Sequence, residues 1–261
     1  MKIFDCFMFY DEEMLLDVRL NILNKYIDKF IIVESTFTHS GKKRELVFDI
    51  KNFQKFKDKI IYHVVDKKPQ GLEEVNIYDT DHIKENKVIM NAVRFENGQR
   101  HAIGNLLKSA DANDQIIISD LDEIPNLESV NFSKINSKII LFRQKMFYYK
   151  FNLILENMIW CGSKSCKMKN FLFPQWLREV KDKKYPLWRI DTIFSNKKYN
   201  NVHFVENGGW HFGWIKNIDG IIKKEESFAH TEYNNNKYKN YEFISDCIEK
   251  NLNFLNTAEK L

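Results

Sequence analysis

The chain of 261 residues has no Gly-rich fingerprint after its first predicted strand, no Gly-Lys-Ser/Thr phosphate loop and no Gly-x-Ser-x-Gly elbow. These absences disfavour a dinucleotide dehydrogenase, a P-loop enzyme and an α/β-hydrolase in turn. No stretch approaches the roughly 20 consecutive apolar residues of a membrane span. Nor does a basic-then-apolar leader open the chain, so a cytoplasmic protein without a membrane span is expected. Cysteine is scarce at four residues, and Cys161-x4-Cys166 is not a metal-ligand pattern; reduced, buried thiols follow. Neither sign of charge dominates: Lys and Arg total 40 against 36 Asp and Glu, a net +4. That scattered surplus does not argue for nucleic acid as a partner. With 44% hydrophobic and 14% aromatic residues, the chain can bury a full core as one large domain.

What is present centres on residues 116–125. Three consecutive Ile residues form a short β-branched run of the kind buried on both faces of a sheet. The run ends in Ser119-Asp120-Leu121-Asp122-Glu123, and Ile124-Pro125 forces an extended exit. If strand geometry persists to that end, Asp120 and Asp122 point to one side, because side chains alternate with a period of two. Carboxylates at the C-terminal edge of a central strand sit where open α/β sheets bind ligands. Their mutual repulsion is relieved by a hard divalent cation such as Mn²⁺ or Mg²⁺, and the natural partner of that cation is a nucleotide diphosphate. The competing reading is a helix N-cap after a strand. Spacing alone does not decide, since Asp79-Thr80-Asp81 repeats it outside any buried strand.

Around this stretch the pattern is that of an α/β fold. Residues 2–10 read as a first strand, and Met14, Leu15, Val18, Ile22, Leu23 and Tyr26 recur at helical spacing. Residues 30–33 form a second strand, so a βαβ unit and a parallel sheet are expected. The polar loop after it starts at Glu34, a candidate for a ribose or base hydroxyl. A basic helix over 52–59 precedes a third strand over 60–65. A long helix over about 84–108 carries Glu96 and Arg100 four apart, and Arg100 is a candidate for the diphosphate. Residues 138–152 alternate like one long strand. Farther on, Gly208-Gly209 offers close backbone approach to a ligand, followed at once by His211. Aromatic density from Tyr148 to Trp188 suits a core, with one or two rings free to stack on a sugar.

The motifs resemble glycosyltransferase family 17, whose animal members are β-1,4-mannosyl-glycoprotein β-1,4-N-acetylglucosaminyltransferases. The resemblance rests on Phe4-Asp5-x-Phe7, Glu12-x-x-x-Leu16-x-x-Arg19, Glu34-Ser35-x-Phe37-Thr38-x-x-Gly41 and Gln99-Arg100. Asp120-x-Asp122-Glu123-Ile124-Pro125, Tyr148-Tyr149-x-Phe151 and Gly209-Trp210-His211 complete it, in family order over nearly the whole chain. It implies a GT-A type, Rossmann-like fold with a mainly parallel central sheet, in one domain with a donor half over 1–125 and an acceptor half over 126–261. It also implies an inverting transfer from a UDP-sugar donor, UDP-N-acetylglucosamine, to a glycan acceptor. Asp120 and Asp122 match the nucleotide-sugar and metal motif. His211 is the candidate for completing the metal shell in preference to His230, with Gly209 close to the donor. A separate carboxylate would take the acceptor's proton; the pattern does not single it out, and Glu226 and Asp191 are the candidates. Two other classes fit the acidic cluster, a metal-dependent phosphoesterase and a non-catalytic sugar-binding module.

Overall fold

A computed structural model describes residues 1–227 and 240–261, apart from the side chains of 225–227, 258 and 259. The first strand β1 (Ile3–Phe9) leads through helix α1 (Glu13–Leu23) to β2 (Lys29–Ser35), and β3 (Ile60–Val65) follows. Helix α2 (Asp81–Leu106) then feeds β4 (Gln115–Ile118) and the short β5 (Glu123–Pro125). Next come β6 (Ile139–Phe142), β7 (Gln144–Phe147), β8 (Ile154–Trp160), β9 (Lys164–Lys167) and helix α3 (Pro174–Glu179). The chain continues through β10 (Val202–Val205), β11 (Gly209–His211), α4 (Ile218–Ser227), α5 (Tyr241–Glu249) and a hairpin of β12 (Leu252–Asn253) with β13 (Asn256–Lys260).

Seven strands make one sheet in the order β10-β6-β9-β4-β1-β2-β3, in which only β9 runs against its neighbours. The expected α/β fold with a mainly parallel sheet is present. Alternation places Phe7, Phe9 and Ile117 in the core beneath α1, while Phe4, Cys6, Ile116 and Ile118 face the core shared by α2 and α3. Both faces are covered, which is why these strands read as unbroken apolar runs. Strands from either side of residue 125 share this sheet, so the two halves of the chain interlock. A four-stranded sheet, β5-β11-β7-β8, stands beside it. None of the helices among the described residues is long and apolar enough to cross a membrane, and all four cysteines are free thiols, three of them buried.

Three local expectations change. The alternating run over 138–152 is two strands in different sheets, because Arg143 exchanges backbone hydrogen bonds with Val205 and Gly208 and turns the chain between them. The segment over 52–59 is a 3-10 turn, Ile50–Phe56, broken at Phe53 where φ is −122°. Strand β4 stops at Ile118, so Asp120 and Asp122 lie in the turn between β4 and β5 rather than on strand positions.

Candidate active site

Chain order leaves β1 flanked by β2 on one side and β4 on the other, and a crevice at such a switch point is where α/β sheets bind ligands. A cleft of about 590 Å³ opens there, lined by the end of β1 and by residues 120–123. Glu96, Gln99 and Arg100 of α2 and Arg178 of α3 form one wall; Met146, Trp160, His211 and Lys224 form another.

The acidic turn is held from below by Arg19 of α1. This fully buried guanidinium donates to both carboxylate oxygens of Asp5 (2.6 and 2.8 Å), to the Ser119 hydroxyl and to the carbonyls of Asp120, Leu121 and Glu123. It also lies 4.4 Å over the Phe7 ring. A buried charge is tolerated only when paired and hydrogen-bonded, and Arg19 meets that condition while using the turn's own carbonyls. This explains why Asp5 and Arg19 accompany the acidic motif so far away in sequence.

Within the turn the two aspartates have different partners. Asp120 accepts from Arg100 (3.2 Å) through one oxygen and from Arg178 (2.8 Å) through the other. Burial alone would raise its pKa; the two guanidinium groups, Arg178 foremost, outweigh that and hold the carboxyl well below the usual range. Glu123 is buried and accepts from Trp160 Nε1 (2.6 Å), the Asp120 amide (2.8 Å) and Arg178. Asp122 instead accepts from Lys224 Nζ at 3.1 Å. Burial would lower the Lys224 pKa, but Asp122 and Glu12 raise it and keep the ammonium charged. The other Asp122 oxygen faces His211 Nε2 at 3.8 Å. The His211 ring stacks on Trp160 with centroids 5.0 Å apart, and its buried Nδ1 has no hydrogen-bond partner among the described residues. Lys216 adds a further cation, paired to Asp11.

A divalent cation fits part of this donor set. A separation of 3.8 Å is too long for a hydrogen bond but suits two ligands each ~2.1 Å from one cation. Asp122 and His211 thus face each other across the cleft. Asp120 has both oxygens engaged by arginine. Among the described residues no group of three or more His, Cys, Asp or Glu side chains could hold a metal ion.

Of the other expected residues, Arg100 lines the cleft. Glu34 does not; its buried carboxylate is used by Arg44, the Tyr62 hydroxyl and the amides of Val47 and Phe48. Gly209 is needed, at φ +128°, for packing against β5: a Cβ there would come within 2.1 Å of the Ile124 carbonyl. The glycine at the cleft is Gly213, beside His211. Asp191 lies outside the cleft, bonded to Arg189 and Lys198. The side chain of Glu226, and all of His230, lie outside the described residues. Asp79 pairs with Lys87, and Asp81 opens α2 as an exposed carboxylate, so the second Asp-x-Asp is structural. Arg178, Lys216 and Lys224 escaped sequence reasoning: the first lies in a short helix without a motif, and the others look like surface charge. Gln99 pins the ends of β1 and β2 through the Phe9 and Val33 carbonyls.

The model of glycosyltransferase family 17 matches residues 1–257. Among solved structures, the chain is similar to one assigned as a glucose-1-phosphate thymidylyltransferase of Bacillus anthracis, in complex with a sucrose. Identity is 12% over 80% of this chain and 87% of that one, with a TM-score of 0.38. It is similar also to HddC from Yersinia pseudotuberculosis, at 11% identity over 79% and 91% of the two chains, TM-score 0.37. Among curated proteins none matches.

Proposed function

The chain belongs to glycosyltransferase family 17, and on that premise we propose that it moves N-acetylglucosamine from UDP-N-acetylglucosamine to a hydroxyl of a glycan acceptor, with inversion. The observation that carries this reading is the facing pair Asp122 and His211 at the mouth of β1 and β4, with Arg100, Arg178, Lys216 and Lys224 in the same cleft. The acceptor oxygen bonds to the anomeric carbon as the bond from that carbon to the diphosphate breaks. Negative charge then gathers on the leaving diphosphate, where fixed cations stabilise it without reorganising. When bound, a divalent cation such as Mn²⁺ held by Asp122 and His211 would supply further charge neutralisation.

The acceptor's proton goes to a carboxylate. Asp120 and Glu123 are poorly suited, because arginine engages their oxygens and holds them as anions of low basicity. Glu96 is likewise engaged by Arg100, so Asp11 and Glu12, both beside Lys216, replace Asp191 as candidates on the cleft wall. The donor would lie on the β1–β4 side, with its diphosphate also meeting Arg178, His211, Lys216 and Lys224 from beyond residue 125, and the acceptor against the aromatic wall of Tyr148, Trp160 and Trp214.

Thermal-shift titration with nucleotide sugars tests the reading, since a ligand stabilises in proportion to its occupancy. UDP-N-acetylglucosamine should raise Tm with Mn²⁺ and not in excess chelator, and Asp122→Asn should abolish that shift and lower transfer by about 100-fold or more. Equal stabilisation in chelator overturns the metal's role; preference for another base or sugar overturns the donor.

A further inference from the structure

Past α3 the chain runs through residues 181–199, a segment built with its apolar side chains outward. Leu187, Trp188, Ile190, Ile193 and Phe194 are 69–86% exposed. Ion pairs and cation–ring contacts within the segment hold it together. Asp191 accepts from Arg189 (2.7 and 2.9 Å) and from Lys198 (2.8 Å). The Tyr185 ring is approached by Arg189 (5.8 Å), Lys198 (5.9 Å) and Lys183 (6.0 Å). Backbone bonds from Lys181 to Lys197 and from Tyr185 to Tyr199 close its base. Large apolar residues are exposed elsewhere too, Ile77 and Ile159 among them, but here five fall within eight positions on a segment with defined internal bonds.

Contiguous apolar exposure of this kind marks an interaction surface. The charge around it indicates the partner. Lys181, Lys183, Lys184, Arg189, Lys197 and Lys198 stand against Asp182 and Asp191 alone. Trp, Phe, Leu and Ile flanked by Lys and Arg are the composition that seats a segment in the interface of an anionic bilayer. We propose that residues 181–199 dock the protein on a membrane surface carrying anionic lipid. The apolar tips enter the headgroup region and the lysines pair with lipid phosphates. The segment begins three residues after Arg178, and Lys164 donates to the carbonyls of Arg178 and Val180. Docking therefore holds the cleft beside the bilayer.

Sedimentation of the full chain with mixed phosphatidylglycerol–phosphatidylcholine vesicles, against phosphatidylcholine alone, tests this. Binding to the anionic vesicles, weakening with salt, is expected. Trp188→Ser with Phe194→Ser should reduce it about tenfold or more with unchanged Tm, and Lys183→Glu with Lys184→Glu should remove the preference for anionic lipid. Absence of vesicle binding, equal binding to both compositions, or full binding by the serine variant overturns the proposal. So does a dimer, abolished by the same serine substitutions, in a chain that ignores vesicles: the face would then belong to a second copy.

Discussion

Two irregular segments of this protein are built from the same residue types and have opposite construction. The turn over 119–123 carries Asp120 between Arg100 and Arg178 beneath the cleft wall; the segment over 181–199 carries Asp191 between Arg189 and Lys198 in open water. Both aspartates are held well below the ordinary carboxylate range, Asp120 against the pull of burial and Asp191 by hydrogen bonds from Arg189 and then Lys198. A depressed carboxylate is therefore no sign of a reactive site by itself. The surroundings separate the two. Asp120 has α2, α3 and the central sheet packed about it, so its partners are immobile and face a cavity. Asp191 organises a surface segment whose apolar residues and lysines both meet the exterior.

The sharpest way to break the contrast is to remove the support under the first segment. Arg19→Leu leaves Asp5 buried without its counter-charge and the 120–123 carbonyls without their donor. A loss of about 3–5 kcal/mol is expected, read as a shift of the urea midpoint, with transfer lost even where the variant still folds. A cost within about 0.5 kcal/mol would mean the turn is held by its β4 and β5 neighbours instead.

Acid titration sharpens the comparison next. Because the folded pKa of Asp120 is depressed, its pairing contributes stability above its unfolded value near ~3.9, and that contribution fades as pH falls through the folded value. The stability difference between the parent and Asp120→Asn should thus be greatest at neutral pH, on the order of 1 kcal/mol once screening at a carboxylate open to the cleft is allowed for. It should shrink below about pH 4. A difference independent of pH would assign the effect to packing rather than charge.

The smallest effect is expected at the second segment. Asp191→Asn should leave Tm and transfer as in the parent while freeing Arg189 and Lys198, so that trypsin cuts within 181–199 faster. Lost transfer with an unchanged cleavage rate would restore Asp191 as a catalytic candidate.

Much of this was legible before any coordinates. The Ile run of β4, the βαβ opening and the long α2 follow from apolar period, a local property. That Asp122, Arg100 and His211 line the cleft was legible because their immediate neighbours are informative: a buried strand before the aspartate, a helix feeding that strand, a family motif around the histidine. Glu34 and Gly209 had equally suggestive neighbours and serve packing instead. Their partners, Tyr62 and Arg44 for one and the Ile124 carbonyl for the other, come from other elements.

The sequence by itself determined which segments alternate, which are amphipathic and where the acidic turn falls, since each depends on residues within a few positions. Only the tertiary structure decided that Arg19 reaches the turn across a hundred residues, that Arg178 and Arg100 pair with Asp120, that residues 138–152 divide between two sheets, and that Asp191 pairs with Arg189 and Lys198 away from the cleft. Those outcomes depend on which elements become neighbours, and the desolvation that gives a charge its strength exists only once they have packed.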